Sequence, residues 1–129
     1  MTNPFKHIDT FHKACDQEPS ESNYKMYLKL IKEEFDELQD AVNANDRVEQ
    51  LDALIDILVV TIGAVRAGNF DGEGAWKEVM RTNFAKIDKD TGKVRKREDG
   101  KVLKPIGWAP PDLKPYLKDR KSTRLNSSH

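Results

Sequence analysis

Acidic side chains are concentrated in one part of this 129-residue chain, where residues 33–56 carry nine carboxylates and one basic residue. Those whose spacing puts them on shared helix faces are Glu34, Glu37, Glu49, Asp52 and Asp56. Carboxylates grouped in this way repel one another unless a cation lies among them. Because ligation by oxygen alone suits Mg²⁺, Mn²⁺ or Ca²⁺ better than Zn²⁺, the pattern favours a divalent-cation site. A solvated acidic surface is the alternative that composition alone leaves open.

Apolar residues that recur every three or four positions predict four helices that would hold these carboxylates. The expected ranges are about 3–16, 24–44, 46–67 and 71–85. The short turn at residues 43–46 makes the second and third helices antiparallel neighbours, so that their acidic groups approach each other. We expect the core to form along the main apolar stripes, Tyr24 to Val42 and Val48 to Val65. Beyond Leu54 the third helix is apolar almost all round, which predicts burial on several sides or in an interface between subunits.

The chain changes character after the fourth predicted helix. Turn signals at 90–92 and 99–100 flank the short stretches 93–97 and 101–103, which together predict a small β-hairpin. Four prolines follow and predict an extended arm. Residues 77–118 carry twelve basic and six acidic side chains. The predicted fold class is therefore all-α, a four-helix bundle with a small C-terminal β-hairpin and a Pro-rich arm.

Composition narrows the class of protein further. The chain holds 22 basic and 22 acidic residues, and this neutrality argues against a nucleic-acid binder driven by overall charge. The single cysteine, Cys15, rules out an intramolecular disulfide scaffold. The longest nearly apolar run, residues 57–65, is too short for a membrane span, and no signal-peptide pattern is present. We therefore expect a cytoplasmic protein with neither a membrane nor a nucleic acid as partner.

The last eleven residues, 119–129, read DRKSTRLNSSH and have no apolar period. The string is similar to the translation of a common sequencing adapter, so we interpret it as a non-native tail. A disordered basic tail is the alternative. The domain is accordingly expected to span residues 1–118, which hold 19 basic and 21 acidic side chains.

An ordered set of motifs resembles the MazG-like all-α nucleotide pyrophosphohydrolases. Glu33-Glu34-x-x-Glu37 is followed, after eleven intervening residues, by Glu49-x-x-Asp52, which is similar to the EExxE…ExxD signature of that superfamily. The resemblance extends to Thr82-Asn83-x-x-Lys86 and to the closing REDGKVLKP…PPDL. It covers nearly all of residues 5–113 and looks most like the short phage and bacterial members labelled phosphoribosyl-ATP pyrophosphohydrolase-like.

The resemblance implies hydrolysis of a nucleoside triphosphate, a (d)NTP, to the monophosphate and pyrophosphate. It implies dependence on Mg²⁺, with Mn²⁺ as a substitute, and a cytoplasmic setting in a bacterium or a phage-infected cell. The metal ligands it implies are Glu34, Glu37, Glu49 and Asp52, with Asp56 as a further ligand or a supporting acid. Glu33 would hold or deprotonate the attacking water, and Glu34 is counted with it as catalytic. The substrate-binding residues it implies are Asn83, Lys86, Lys77, Arg81 and Gln17.

Two other functions stay open at this stage. Phosphoribosyl-ATP hydrolysis is chemically close to the reaction above and carries the family label. A non-catalytic helical protein that holds a cation or a partner in the acidic groove is the alternative from a different class. The apolar third helix predicts a homodimer or a dimer of dimers in either case.

Overall fold

A computed structural model describes residues 3–118 and is all-α. Its four helices are α1 (Pro4–Ala14), α2 (Glu21–Asn43), α3 (Arg47–Ala67) and α4 (Gly72–Phe84), and a short 3₁₀ helix spans Lys114–Tyr116. The predicted tail at 119–129 lies outside the described residues. The described chain forms two compact units, one up to Gly72 and the other over Glu73–Leu117. None of the described helices is long and apolar enough to cross a bilayer.

The helix ends follow local sequence chemistry. Asn3 caps α1 by accepting a hydrogen bond from the Lys6 amide, and Pro4 begins the helix as predicted. Ser20 caps α2, so this helix begins three residues earlier than its apolar pattern indicated. Asp46 caps α3 through the Glu49 amide at 3.1 Å. These caps fix where each acidic side chain falls along its helix.

Helices α2 and α3 pack against each other along faces made largely of small residues. The buried residues of α3 are Ala53, Gly63, Ala64 and Ala67, and those of α2 are Tyr27 and Ala41. Small side chains let two helix axes come close together. At Gly63 the space is already filled, because an added Cβ would lie 2.9 Å from both His12 and Tyr27.

The first helix and the loop after it are tied to α3 by a partly buried polar network. Arg66 donates to Asp9 at 2.9 Å and to the Gln17 carbonyl, and the Tyr27 hydroxyl contacts His12 at 3.1 Å. Burial, followed by the nearby Arg66 charge, lowers the pKa of His12, so the ring is neutral near pH 7. A neutral ring that is hydrogen-bonded and stacked on Tyr27 serves as a polar part of the core.

The main apolar stripes contribute only partly to the core of the single chain, because Tyr24 and Ile31 pack against it while most of the other large stripe residues do not, which corrects the sequence-based expectation. Several of their large side chains are exposed, among them Phe35 at 52%, Val48 at 77% and Leu51 at 63%. The face that packs is the neighbouring one, which carries Tyr27, Glu34 and Ala41 on α2. Two helices offer each other only one face apiece, so the wider apolar face is left outside.

The C-terminal segment forms turns without the predicted hairpin strands. Antiparallel bridges join Ile87 to Val94 and Lys96 to Val102, and each stands alone among the described residues. Gly92 and Gly100 take positive φ in the two predicted turns. The intervening stretches are short, charged and exposed, so no apolar face holds them in a longer ladder. Trp108 fixes the following arm by donating from its indole Nε1 to the Thr82 carbonyl at 2.8 Å.

Candidate active site

Four carboxylates meet where the packing faces of α2 and α3 come together. Glu34 and Glu37 project from α2, and Asp52 and Asp56 project from α3. They are close enough for Glu34 to be influenced by all three of the others. The turn at residues 44–46, with Asn45 at φ +54, reverses the chain and brings these two acidic groups together.

Glu34 is the most perturbed member of the cluster. Burial, a hydrogen bond with Glu37 and the negative charges of Glu37, Asp56 and Asp52 raise its pKa to about 7. Burial is also the first cause of the raised pKa of Asp56, followed by the charges of Asp52 and Glu37. Both shifts have the same meaning: negative charge is disfavoured here unless a cation compensates it.

Glu34 also carries an unsatisfied atom. Its Oε2 is buried and has no hydrogen-bond partner. Buried polar atoms in folded proteins almost always have a partner, and an orphan points to a missing ion or water. The donor set therefore fits a hard divalent cation, because every candidate ligand is a carboxylate oxygen.

The cluster opens into a cavity of about 350 Å³ beside the turn between α2 and α3. Its acidic lining consists of Glu37, Asp40, Asp46, Glu49 and Asp52. Asp40 and Asp46 were not identified from the sequence. The signals that could have found them are the i, i+3 spacing of Asp40 from Glu37 and the helix-capping position of Asp46.

The side chains are not arranged as a finished coordination sphere. Within residues 3–118, no three His, Cys, Asp or Glu side chains converge with metal-ligand geometry. The structure thus brings Glu34, Glu37, Asp52 and Asp56 into one cluster and places Glu49 in the adjoining cavity.

Glu33 lies apart from this group. Its side chain is exposed on α2, and it is neither among the cavity-lining residues nor among the groups that shift the pKa of Glu34. Neighbouring residues on a helix differ by about 100° in direction, which separates Glu33 from Glu34. Its role with the attacking water stays a prediction.

Four of the five candidate substrate-binding residues lie in the unit formed by Glu73–Leu117. Lys86 donates from Nζ to Asn83 Oδ1 at 3.2 Å, so the two residues of the N-x-x-K pattern are joined directly. The same ammonium lies 5.0 Å from the centre of the Trp108 ring. Lys77 is exposed on α4.

Arg81 is engaged in a different interaction. It forms a two-pronged ion pair with Glu78, at 2.8 Å from Nε to Oε1 and 2.9 Å from Nη2 to Oε2. Glu78 also accepts from the backbone amide of Asp112, and together these bonds, Arg81 first, lower its pKa to about 2. Arg81 therefore holds the C-terminal arm against α4 through Glu78, and a second role toward substrate stays a prediction.

Gln17 lies in the other unit, within the polar network of α1 and α3. Its Oε1 accepts from the Tyr27 hydroxyl, and its backbone oxygen accepts from Arg66. Both contacts fix the loop after α1. Its role in substrate binding stays a prediction.

Comparison with known protein families places this site in context. The family described as phosphoribosyl-ATP pyrophosphohydrolase (PRA-PH) matches residues 6–83. The chain belongs to that family. The family is one of the MazG-like all-α nucleoside triphosphate pyrophosphohydrolases, as the resemblance of the motifs indicated. The match includes every carboxylate of the cluster and Asn83, and it ends before Lys86.

Among curated proteins, the chain is similar to the uncharacterized protein L479 of Acanthamoeba polyphaga mimivirus. The two are 40% identical over 81 residues, which are 61% of this chain and 32% of the viral protein. The chain thus matches about a third of the length of that relative. The similarity is consistent with the family assignment. Because the relative is itself uncharacterized, it gives no information about the activity of this chain.

Proposed function

We propose that this protein hydrolyses a nucleoside triphosphate, an ordinary or damaged (d)NTP, to the nucleoside monophosphate and pyrophosphate in a Mg²⁺-dependent reaction. The observation that carries the proposal is the buried, unpartnered Oε2 of Glu34 within a cluster of four carboxylates. Such a cluster is costly to fold unless it binds a cation. Membership of the PRA-PH family supports pyrophosphate release as the reaction class.

The candidate metal ligands are Glu34, Glu37, Glu49, Asp52 and Asp56. A bound Mg²⁺ supplies charge neutralisation for the phosphate oxygens and lowers the pKa of water. Mn²⁺ has the same preference for oxygen ligands and is the expected substitute.

In this proposal the chain's own residues bind the cation, accept a proton and bind the substrate. The carboxylates bind and orient the cation, and the closely packed Ala41 and Ala53 set the spacing between α2 and α3 beside them. Glu33 accepts the proton of the attacking water at a carboxylate oxygen. Asn83 and Lys86 bind the base or sugar and the phosphate chain, respectively.

The decisive experiment measures pyrophosphate release from a panel of ordinary and oxidised (d)NTPs and from phosphoribosyl-ATP. Each is assayed with Mg²⁺, with Mn²⁺ and with EDTA. Turnover of a (d)NTP that requires the metal supports the proposal. Turnover of phosphoribosyl-ATP alone identifies the activity in the family's description as the function instead. Cation-dependent thermal stabilisation without any turnover supports a non-catalytic cation-binding protein.

The same proposal includes a homodimer, or a dimer of dimers, formed through the outer apolar face. We define this face as Leu28, Phe35 and Val42 of α2 with Leu51, Ile55 and Leu58 of α3, all of which are exposed in the single chain. Monomeric proteins rarely leave so many large apolar side chains in one region uncovered. A second copy presents the same face and buries both, as in an isologous dimer.

A further inference from the structure

The first helix is held to the rest of its compact unit by few buried side chains. The structure describes every position of α1, and its two buried residues are Ile8 and His12, with His12 only 3% exposed. A helix of eleven residues is marginal in water by itself. The docking of α1 therefore depends strongly on a side chain that can take up a proton.

The hydrogen bonds around His12 define where its ring carries a hydrogen. The side-chain oxygen of Gln17 can only accept, so the Tyr27 hydroxyl donates to it. The same hydroxyl lies 3.1 Å from His12 Nε2 and can still accept, so the hydrogen of the neutral ring is on Nε2. These bonds form a relay that joins α1 through α2 to the loop at residues 15–20.

The ring of His12 lies in a closely packed place. A Cβ added at Gly63 would lie 2.9 Å from His12 Cε1, so the ring fits tightly against the backbone of α3. The ring also stacks on Tyr27, with the two ring centres 4.9 Å apart. Because a buried charge is costly when water cannot reach it, protonation favours a state in which the ring has moved out to solvent.

The charged groups near His12 do not compensate a proton on the ring. Burial is the main cause of its lowered pKa, the Arg66 charge on α3 is the next, and the opposing effect of Asp9 on α1 is smaller. Asp9 is itself paired with Arg66 and with Lys13, each at 2.9 Å. Hydrogen bonds from Arg66 and then Lys13 hold the pKa of Asp9 below its usual range, so Asp9 stays ionised in mildly acid solution.

Tyr27 and Cys15 are the other titratable groups that face this network. Burial, and then the Cys15 thiol in the loop, raise the pKa of Tyr27 on α2, so its hydroxyl stays protonated at neutral and acid pH. Among the groups around the relay, His12 is thus the one whose charge is expected to change between pH 7.5 and 5.5.

The loop after α1 depends on the same contacts. Gln17 binds Tyr27 through its side chain and Arg66 through its carbonyl, and its amide donates to the His12 carbonyl at 2.9 Å. Asp16 has a positive φ of 57°, which costs free energy in a residue other than glycine unless the surrounding contacts hold it. Loss of the relay would therefore favour release of this loop together with α1.

We propose that α1 and the loop at residues 15–20 form an acid-sensitive latch, which neutral His12 holds closed and protonated His12 releases. The latch lies within one compact unit and does not depend on hydrolysis at the carboxylate cluster. Below about pH 6.5, the ordinary pKa of histidine, the open segment binds more protons than the closed one. Each further pH unit of acidification therefore favours opening, by at most about tenfold for one proton.

The test follows backbone hydrogen exchange in the full chain at pH 7.5 and 5.5, without nucleotide. The amides of Gln17 and Ser20 donate to the carbonyls of His12 and Ala67. Relative to their intrinsic exchange rates, these two amides should lose about three- to tenfold in protection at the lower pH. The Ala85 amide, which belongs to the other compact unit, should keep its protection.

Two matched variants identify the proton. His12→Gln keeps an N–H donor toward Tyr27 but cannot take up a proton, so the pH dependence should disappear. His7→Gln removes an exposed imidazole from the same helix and should leave the pH dependence unchanged.

An NMR titration of the His12 ring in the original chain gives a test that does not depend on the folding of any variant. Its midpoint should lie below 6.5. A midpoint at or above 6.5, a pH dependence that survives in His12→Gln, or an equal loss of protection at Ala85 would overturn the proposal.

Discussion

The two faces of the α2–α3 pair are built in opposite ways. The inner face combines small residues such as Ala53 and Gly63 with the half-buried carboxylates Glu34 and Asp56. The outer face carries Phe35, Leu51 and other large apolar side chains in contact with solvent. In an ordinary helical domain the large apolar residues would be inside and the carboxylates outside. This exchange is the arrangement that the proposed cation site and the proposed dimer would each require.

Removing the inner carboxylates should have the largest effect. We expect Glu34→Gln with Glu37→Gln to lower the rate of pyrophosphate release by about a thousandfold or more, because two anionic carboxylate ligands of the cation site are replaced by neutral amides. The rate is measured with saturating Mg²⁺ and the best (d)NTP. Asp36→Asn removes an exposed carboxylate from the same helix and serves as the control. Full activity of the double variant would refute the assigned site.

Charging the outer face should have the next largest effect. Leu51→Glu with Leu58→Glu places two charges where both copies are expected to meet, and we expect dimer affinity to fall by about a hundredfold. Light scattering coupled to size-exclusion chromatography would then give the monomer mass. Leu113→Glu changes an exposed apolar residue of the other compact unit and should leave the mass unchanged. A monomeric starting protein would contradict the assembly.

The inner face should also be sensitive to a single methyl group. Gly63→Ala places a Cβ within 2.9 Å of His12 and Tyr27, so we expect the free energy of unfolding to fall by about 1–3 kcal/mol. Helix propensity alone would raise it, since alanine is the better helix former. Thr61→Ala on an exposed position of α3 is the comparison. If urea unfolding shows both variants to be stabilised, the close packing at Gly63 is not as described.

Much of the inner face could be predicted from the sequence. The short turn before Asp46 and the i, i+3 spacing of Glu34 and Glu37 required antiparallel helices with facing acidic groups, and the structure has both. The choice of packing face could not be predicted. Each helix offers two neighbouring stripes, and the more apolar one was expected to be inside. Hydropathy measures which face avoids water and does not say whether the same chain or a second copy covers it.

The C-terminal segment could be predicted from the sequence only in part. Its turns were predicted correctly at Gly92 and Gly100, because positive φ is a local demand. Strand pairing depends on whether a neighbouring surface supports the ladder, and residues 93–97 are largely exposed. The cation–π contacts of Trp108 could likewise not be predicted, since Lys86 and Lys104 are brought to its ring only by the folded arm.

The smallest expected effect concerns the stability of the inner face at different pH values. The pKa of Glu34 is raised to about 7 in the folded chain, against about 4.5 when unfolded. The folded state therefore retains a proton that the unfolded state releases, and this stabilising contribution is complete below pH 4.5 and lost as pH rises through 7. Glu34→Gln mimics the protonated form and should raise the free energy of unfolding in EDTA at pH 8 by about 1–2 kcal/mol, with little change at pH 4. Saturating Mg²⁺ at pH 8 should make the original chain the more stable of the two, because a carboxylate at position 34 binds the cation more tightly than an amide does. Urea unfolding at both pH values measures this, and a Gln variant that is less stable at pH 8 in EDTA would mean that Glu34 is not held in an unfavourable charged state.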